Sequence, residues 1–345
     1  MSHSPRKMRN HPLHNPVSFQ QAIISWFEEN GKDYPWRRTT DPYAILVSEM
    51  MLQQTQIATV LGKRYFENWL AQFPTPAALA DASEPVLLRA WEGLGYYNRA
   101  RNLQKTAQAI SARGGTFPKT AAELIQLPGI GRYTAGAVAT FAFDAPEPII
   151  DANIARVLAR LFNFREPIDS DAGQSKLWEW ATALVPSKKA RAYNSGLMEL
   201  GQIICTPKSP QCSACPVQSH CAGTKDQPEL LPIKKPKRST VHLTEHVAWT
   251  TRGGALLLSQ EKGNRRQGMW KLPERSEDHF TESLSPLIHC AAYTITHHRV
   301  QLRVYEAPQL ETGPNETFHP LEKLNDLPMP SPYRKALKSL EIMRD

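Results

Sequence analysis

Three features that the sequence lacks narrow its class. It contains no run of 18 apolar residues, so we expect no membrane-spanning helix. Residues 1–16 are polar and basic and do not resemble a secretory signal; we expect either a mobile tail that contacts phosphates or a simple disordered end. Cysteine is scarce, with 5 in 345 residues, and without a secretory signal a disulfide framework is not expected.

The charge balance is basic. Lys and Arg number 41 against 33 Asp and Glu, which gives a formal net charge of +8 and a pI near 9.2. A basic chain favours an anionic partner, and nucleic acid is the commonest one. A generally basic proteome would produce the same balance, so charge supports nucleic-acid binding without establishing it.

Four of the five cysteines lie within one short segment with the spacing C-x6-C-x2-C-x5-C: Cys205, Cys212, Cys215 and Cys221. Four thiolates in such a segment can ligate one iron–sulfur cluster or one zinc ion. Structural zinc sites more often pair two C-x2-C elements across a dozen or more residues. The pattern therefore favours a 4Fe–4S cluster over zinc, and the isolated Cys290 is expected to be a packed small residue.

The chain from about residue 17 to 221 has a helical pattern with few strand signals. Asp41 followed by Pro42 predicts a helix start, because Asp caps a helix and Pro suits its first position. Thr55 is predicted to cap the next helix. This part of the chain is therefore expected to be all-α.

The residue composition changes after the cysteines. Residues 222–240 alternate prolines with basic residues and predict an extended basic linker. Beyond it, residues 254–258 and 300–305 have strand patterns, and residues 331–345 predict a closing helix. Residues 241–345 are therefore expected to form a second, α+β domain.

A glycine-rich turn lies between two helical stretches, in the sequence Leu127-Pro128-Gly129-Ile130-Gly131. Such a turn brings backbone N–H groups to a helix N-terminus, whose dipole and free donors favour a phosphate. An ordinary tight turn between helices would have the same sequence character. With the basic charge, the turn favours a helix-hairpin-helix contact with DNA.

Two acidic residues stand out by their surroundings. Glu49 lies in a strongly apolar helical segment, either at the edge of the apolar stripe or partly buried. Burial would raise its pKa above the usual value of about 4.3 and make it an acid near neutral pH. Asp151 precedes a predicted helix and is either a simple N-cap or a functional carboxylate.

Together these motifs resemble the helix-hairpin-helix/Gly-Pro-Asp DNA glycosylases of the endonuclease III type, and among them the MutY-type adenine-excising branch. The resemblance covers nearly the whole chain from Ile23 onward and is most specific in residues 36–221. Besides the cysteines, the hairpin and Asp151, it rests on two segments: Ser48-Glu49-Met50-Met51-Leu52-Gln53-Gln54-Thr55-Gln56 and Gly93-Leu94-Gly95-Tyr96-Tyr97-Asn98-Arg99-Ala100-Arg101-Asn102-Leu103.

The resemblance implies a mainly α helix-hairpin-helix glycosylase fold with a C-terminal Nudix-like domain. Its expected parts are a flexible basic tail, an iron–sulfur cluster module, a six-helix module with the hairpin, an interdomain linker and a Nudix-like α+β domain, at 1–15, 16–35 with 146–221, 36–145, 222–240 and 241–345. A cytoplasmic, nucleoid-associated and bacterial enzyme is also implied, acting as a monomer on double-stranded DNA, with no membrane contact and with other repair proteins as possible partners.

The implied activity is monofunctional removal of adenine mispaired with 8-oxoguanine or guanine. Glu49 would be the general acid, and Asp151 would stabilise the oxocarbenium ion. Tyr133 occupies the position of the Schiff-base lysine of the bifunctional relatives, and a tyrosine cannot form that imine. Tyr133 and Asn153 would orient the reacting groups and water. Ile149-Ile150 replaces the usual Gly-Gln or Gly-Asn before the family aspartate.

The resemblance also assigns contacts with DNA and with the flipped base. Gln54 would wedge into the base stack and Tyr96 would insert beside the damaged base. Gly129, Gly131 and Lys208 would contact the backbone. Trp36 and Arg37 match residues that line the adenine pocket. Ser195 departs from the usual Glu or Gln, which puts one direct adenine contact in doubt.

In the second domain, Gly268-Met269-Trp270-Lys271-Leu272-Pro273 resembles a Nudix element, whereas residues 274–290 lack the acidic Nudix hydrolase signature. The domain is therefore expected to bind 8-oxoguanine without hydrolysis. Thr296 and His297 align with the Phe-Ser-His recognition loop of the family, and Ile295 replaces its aromatic residue. A solvated strand end is the alternative for His297.

Three rival functions remain at this point. A thymine-mismatch glycosylase can also carry tyrosine at position 133, but such enzymes usually end near the cluster. A bifunctional endonuclease III would need lysine there. A non-catalytic damage sensor would have no need for both Glu49 and Asp151.

Overall fold

The computed structural model describes residues 13–236, 239–263, 266–280 and 285–341. These residues fall into two compact units: the described parts of Met1–Gln53 with Ala109–Pro236, and those of Gln54–Gln108 with Lys237–Asp345. Residues 1–12 of the predicted tail and 342–345 of the predicted closing helix lie outside the described residues. The five-part division by module stays a prediction.

The described part of the chain contains thirteen α-helices, joined by turns and short 3₁₀ segments. In chain order they are α1 Pro16–Asn30, α2 Pro42–Leu52, α3 Ile57–Gly62, α4 Tyr65–Gln72, α5 Pro76–Ala80, α6 Glu84–Ala90, α7 Asn98–Ser111, α8 Ala121–Leu124, α9 Arg132–Phe143, α10 Ala152–Leu161, α11 Asp171–Leu184, α12 Ala190–Ile203 and α13 Ser331–Ser339. None of the described helices is long and apolar enough to cross a membrane.

The predicted start of α2 is confirmed, whereas the predicted cap of α3 is wrong. The Asp41 carboxylate accepts hydrogen bonds from the backbone N–H groups of Tyr43 and Ala44, and Pro42 occupies the first position. Helix α3 instead begins after Gln56, whose side chain makes no cap. The Thr55 hydroxyl donates to the Leu94 carbonyl, so a tertiary contact takes the group that the sequence suggested as a cap.

The core of the first unit lies among α1, α9, α10, α11 and α12. Helix α1 packs against α12, and α12 packs against α10. Their apolar faces supply a cluster of buried residues that includes Phe19, Ile23, Ile154, Leu158 and Leu200. This core supports the segments that carry Glu49, Tyr133 and Asp151.

The C-terminal half of the second unit contains two sheets and confirms the predicted α+β character. Its strands are β1 Val241–Trp249, β2 Thr251–Arg252, β3 Ala255–Gln260, β4 Trp270–Lys271, β5 Leu287–Ile295, β6 His298–Glu306 and β7 Glu316–Pro320. One sheet has the order β1-β6-β5, with β1 parallel and β5 antiparallel to β6. In the other, β3 pairs antiparallel with β2, β4 and β7.

Helix α13 contributes Tyr333, Ala336 and Leu337 to the buried core of this sheet region, together with Val247 and Leu302. Cys290, which the sequence placed in a packed position, is instead exposed on β5. Its neighbours in β5 alternate between exposed and partly buried positions, as expected for a strand with one face toward solvent.

Candidate active site

Glu49 occupies a helix that is buried on every side. All residues of α2 from Tyr43 to Met51 are buried, and Glu49 is only 5% exposed. The Tyr133 hydroxyl on α9 donates a hydrogen bond of 2.7 Å to Glu49 Oε2. Two residues 84 positions apart in sequence are thereby joined, because α2 and α9 pack against each other.

Burial raises the pKa of Glu49 to about 7. Loss of solvation is the largest cause, since it disfavours the charged form. The Tyr133 hydrogen bond opposes this rise, the nearby Asp151 carboxylate adds to it, and the Arg37 guanidinium opposes it. Glu49 can therefore hold or release a proton near neutral pH.

Asp151 caps helix α10. Its Oδ1 accepts from the backbone N–H of Ile154 at 2.7 Å, and its Oδ2 accepts from Asn153 Nδ2 at 2.8 Å. Burial raises the pKa of Asp151, while these hydrogen bonds and the Arg156 charge oppose the rise. The N-cap is therefore confirmed, and the Asp151 charge also raises the pKa of Glu49, whereas a functional role for this carboxylate stays a prediction.

Two neighbouring residues, Arg156 and Gly201, fix the position of Asn153. Arg156 donates to Asn153 Oδ1 at 2.9 Å, to the Gly201 carbonyl at 2.6 Å and to the Cys205 carbonyl at 2.7 Å. Gly201 on α12 lies so close that a Cβ there would come within 2.6 Å of Asn153 Cβ. The position of Asn153 thus depends on a glycine and an arginine that are both buried.

Trp36 and Arg37 lie in a short helical turn before α2. Trp36 is buried and stacks on Tyr34, and the Arg37 guanidinium lies 2.6 Å from the Glu199 carboxylate on α12. Glu199 is fully buried, and no well-directed hydrogen bond to it is found in the described part of the chain. Arg37 therefore serves as its counter-charge.

Ser195 lies one helical turn before Glu199 and lines a cavity of about 400 Å³. Arg37 also lines this cavity, together with Phe27, Asp144, Lys189, Arg191 and Ala192. The Ser195 side chain is shorter than the Glu or Gln expected at this position, so it leaves space beside Arg37. Glu49 and Asp151 do not line this cavity.

The four clustered cysteines follow α12 and are all partly exposed. Burial and the neighbouring thiols together raise the pKa of Cys215 to about 11, and the same causes raise the pKa of Cys212 and Cys221. Buried Arg160 donates to Cys205 Sγ at 3.3 Å and to the Thr206 carbonyl at 2.7 Å.

This donor set fits an iron–sulfur cluster. Thiolates are the ligands such clusters use, and the positive charge of Arg160 favours sulfur in its thiolate form. Among the described residues, no three His, Cys, Asp or Glu side chains are gathered to hold a single metal ion.

The predicted backbone contacts are exposed. Gly129 has a φ of 82°, a conformation that favours glycine, and the turn closes with a hydrogen bond from Ile130 N to the Leu127 carbonyl. Gly131 precedes α9 without a side-chain cap, which leaves the first N–H groups of the helix available to a ligand. Lys208 is exposed on the cysteine loop.

Four other predicted site residues belong to the second unit. Gln54 and Tyr96 both adopt a left-handed backbone conformation, and Tyr96 is 50% exposed. Thr296 and His297 form the tip of the β5–β6 hairpin. Thr296 is exposed, and its hydroxyl lies 3.3 Å from His298 Nδ1, while the His297 ring contacts that of His298.

Three further buried residues of the site were not predicted from the sequence: Arg156, Arg160 and Glu199. The two arginines lie four positions apart on α10 and are buried in an otherwise apolar environment. Charged residues within an apolar helix, next to an aspartate cap, are the signal that would have identified them. Glu199 carries no comparable signal, because its burial follows from the packing of α12.

Two family models match parts of this chain. Residues 47–183 match the model of the HhH-GPD superfamily base excision DNA repair proteins. Residues 205–221 match the iron–sulfur binding domain of endonuclease III, which confirms the predicted 4Fe–4S site.

Similar proteins extend these matches. An adenine DNA glycosylase of Homo sapiens is 41% identical over 62% of this chain and 41% of its own length. That of Buchnera aphidicola subsp. Acyrthosiphon pisum is 34% identical over 73% of this chain and 72% of its own. The chain thus spans about two fifths of the human relative. A solved thermostable thymine-DNA glycosylase is 29% identical, with a TM-score of 0.55, over 61% of this chain and 96% of its own.

Proposed function

The chain belongs to the adenine DNA glycosylase family, and we propose that it hydrolyses the N-glycosidic bond of adenine mispaired with 8-oxoguanine or guanine in duplex DNA. The observation that carries this proposal is the Tyr133–Glu49 hydrogen bond beside Asp151. This hydrogen bond holds Glu49, whose pKa is about 7, and the Asp151 carboxylate at the N-terminus of α10 is close enough to raise that pKa. A carboxyl that is partly protonated at neutral pH and a second carboxylate are the pair that glycosidic cleavage uses.

Glu49 supplies the proton. With a pKa of about 7, a substantial fraction of Glu49 is protonated at neutral pH and can protonate N7 of a flipped adenine. Protonation makes adenine a better leaving group, and the C1′–N9 bond then breaks with both electrons going to the base. The Tyr133 hydroxyl keeps the carboxyl in position and stabilises its charged form after proton transfer.

Asp151 stabilises the sugar cation that bond cleavage leaves behind. Its two oxygens are oriented by Ile154 N and Asn153 Nδ2, so little reorganisation is needed as positive charge develops. The oxygen of a water molecule then forms a bond to C1′, and the proton that the water loses returns to the ionised Glu49 carboxylate. No lysine stands at position 133, and tyrosine cannot form the imine that leads to strand cleavage, so the product is an abasic site on an intact strand.

Flipping adenine out of the duplex costs roughly a few kcal/mol. Trp36 and Arg37 are proposed to line the base pocket, and the short Ser195 side chain lacks the direct adenine contact that a Glu or Gln would make. Gln54 is proposed to fill the gap in the base stack, and its exposed left-handed backbone position is consistent with that role.

The DNA backbone is proposed to bind at the hairpin and the cysteine loop. The uncapped N-terminus of α9 beyond Gly129 and Gly131 offers N–H donors to a phosphate, and Lys208 offers a charge. Cys205, Cys212, Cys215 and Cys221 hold the cluster, which when bound supplies four metal–thiolate crosslinks that shape this loop. The two carboxyls complete base excision without electron transfer.

Recognition of 8-oxoguanine is proposed to come from the hairpin tip of the sheet region. Thr296 presents an exposed hydroxyl and His297 an imidazole, both able to hydrogen-bond the damaged base. Ile295 contributes an apolar contact in place of an aromatic ring. Tyr96 is half exposed and is proposed to insert beside the same base.

One assay tests the proposal against its rivals. Duplexes with A opposite 8-oxoguanine, A opposite G, T opposite G, and thymine glycol are incubated with the holoenzyme, with and without hot alkali. We expect adenine release from the first two, and strand breaks only after alkali. Absence of adenine release contradicts the proposal, thymine release indicates the mismatch glycosylase, and breaks without alkali indicate lyase chemistry.

A further inference from the structure

A buried ion pair joins the sheet region of the second unit to its helices. Arg334 on α13 makes a two-point contact with Glu92, through Nε to Oε1 and through Nη2 to Oε2, the latter at 2.8 Å. Their side chains are only 10% and 7% exposed. Two charges taken out of water in this way are held by their mutual attraction only if the geometry is good, so the pair constrains both partners.

The Arg334 side of this pair is rigid. Helix α13 is anchored by Tyr333, which lies in the core and donates a hydrogen bond of 2.7 Å to Glu245. Arg334 Nη2 also donates to the Leu327 carbonyl at 2.6 Å. The guanidinium therefore has one defined position relative to the sheets.

The Glu92 side leads directly to Tyr96. The Tyr65 hydroxyl donates to the Glu92 carbonyl at 2.7 Å, and a Cβ on Gly93 would lie 2.0 Å from that hydroxyl, so only glycine fits. Trp91 Nε1 donates to the Gly95 carbonyl at 3.0 Å. Tyr96 follows at once in a left-handed conformation, with its side chain half exposed.

Arg99 closes this loop from the other side. Its Nη2 donates to the Leu94 and Gly95 carbonyls at 2.8 and 3.0 Å, and its guanidinium lies over the Tyr96 ring at 5.7 Å. The short loop between Glu92 and Tyr96 therefore cannot move independently of its ends. Tyr65, Trp91 and Arg99 thus bind the carbonyls between Glu92 and Tyr96 into one hydrogen-bonded segment, and the Arg334 contact holds its first residue.

We propose that Arg334 is a positioning residue for lesion recognition: through Glu92 it fixes the Gly93–Gly95 loop so that Tyr96 is preset to insert beside the damaged base. This rests on the proposed function, since Tyr96 acts only if the substrate is a mispaired duplex. Discrimination between 8-oxoguanine and guanine opposite adenine then depends on contacts made by Thr296 and His297. It also depends on the Tyr96 side chain, which the same sheet region holds in place through Arg334.

A second contact between the same parts supports a fixed arrangement. Arg101 on α7 pairs with Glu84 at 2.7 Å and donates from Nη2 to the Gln267 carbonyl of the sheet region. At the adjacent Gly268, whose φ is 75°, a Cβ would lie 3.5 Å from Glu84 Oε2. The sheet region thus meets the helices at two separate places, which resists rotation about the Arg334–Glu92 pair.

Single-turnover rates on duplexes with A opposite 8-oxoguanine and A opposite G test this proposal. We expect Arg334→Met to reduce the ratio of the two rates by roughly tenfold. The matched control is Arg275→Met, which removes an ion pair with Glu316 within the sheet region and should keep the wild-type ratio. In a Tyr96→Ala background, Arg334→Met should have no further effect on the ratio, because both changes remove the insertion of Tyr96 beside the damaged base.

The double variant Glu92→Gln/Arg334→Met keeps the test decisive if the single variant folds poorly, since it removes the Glu92 charge, which in the single variant keeps Arg89 as a partner at 3.2 Å. It should show the same loss of preference as Arg334→Met. An unchanged ratio in either variant, or equal losses with and without Tyr96, would overturn the proposal. Failure of the wild-type holoenzyme to release adenine from both duplexes would instead refute the proposed function itself.

Discussion

The two carboxyls of the site differ in their hydrogen-bond partners. Asp151 accepts from a helix N-terminus and from an amide, both of which favour its charged form. Glu49 accepts from the Tyr133 hydroxyl within a helix that is apolar on all sides. Burial raises both pKa values. Asp151 accepts more hydrogen bonds than Glu49, and it is the carboxylate that is proposed to face the sugar cation.

Replacement of Glu49 by Gln removes the proton donor and keeps the size and buried packing of the side chain. We expect base release to fall by at least roughly 100-fold, the contribution of a general acid. Binding to a duplex with A opposite 8-oxoguanine should persist, as measured by fluorescence anisotropy. Retained turnover in this variant would show that another group protonates adenine.

Tyr133→Phe tests the hydrogen bond to Glu49. In the wild type, base release should decline as pH rises through about 7, because Glu49 must be protonated to act. The Tyr133 hydrogen bond lowers the pKa of Glu49, so its loss should raise that pKa and shift the basic limb of the pH–rate profile to higher pH.

Tyr193→Phe is the matched control for that shift, because the buried Tyr193 hydroxyl has no hydrogen-bond partner among the described residues. Its basic limb should coincide with that of the wild type. A downward shift in Tyr133→Phe, or equal shifts in both variants, would contradict the assigned role of Tyr133.

At the scale of elements, the site depends on how closely α12 approaches α10. Gly201 permits this approach, and Arg156 then links the Gly201 and Cys205 carbonyls to Asn153. The cysteine loop and the Asp151 cap are thereby attached to opposite sides of the same arginine. Small shifts of α12 are therefore expected to move Asn153.

Gly201→Ala should push α12 away from α10, because the added methyl would lie 2.6 Å from Asn153 Cβ. We expect a loss of about 1–3 kcal/mol in unfolding free energy, from overpacking, together with reduced base release. The control is Gly62→Ala on α3, where a Cβ would meet nothing within 4 Å. Thermal unfolding and single-turnover rates measure both effects, and an unaffected Gly201→Ala would show that the contact relaxes without cost.

Element boundaries were only partly predictable. The Asp41-Pro42 pair is a local signal for a helix start, and helix α2 begins there. Thr55 carries the same kind of signal, but its hydroxyl is used by Leu94, 39 positions away. Cys290 similarly occupies the outward side of a strand, and a lone cysteine in sequence does not say which side of a strand it takes.

At the scale of the whole molecule, the net charge of +8 should produce binding that weakens as salt rises. Lys208→Ala should remove one phosphate contact and reduce the slope of log K against log salt by about 1, with the A:8-oxoguanine preference unchanged. Lys323→Ala, which removes an exposed lysine in the sheet region, should leave the slope unaltered. Anisotropy titrations over a salt series would decide, and equal slopes for all three proteins would exclude a backbone contact at Lys208.

Several properties were determined by the sequence alone, because they depend on residue types at short spacing. The cysteine spacing indicated the cluster, the Pro-Gly-Ile-Gly turn indicated the hairpin, and the change in periodicity after residue 240 indicated the sheet domain. The acidic residues Glu49 and Asp151 could be named as candidates, since one stood in an apolar helix and the other before a helix.

How these candidates act on one another depends on contacts between distant parts of the chain. The pKa of Glu49 depends on burial by helices distant in sequence and on Tyr133, 84 positions away. The pairing of Arg37 with Glu199, and that of Arg334 with Glu92, likewise joins charges separated by more than 150 residues. Desolvation and charge pairing are properties of packed neighbours, and no local pattern of residues specifies which neighbours will pack.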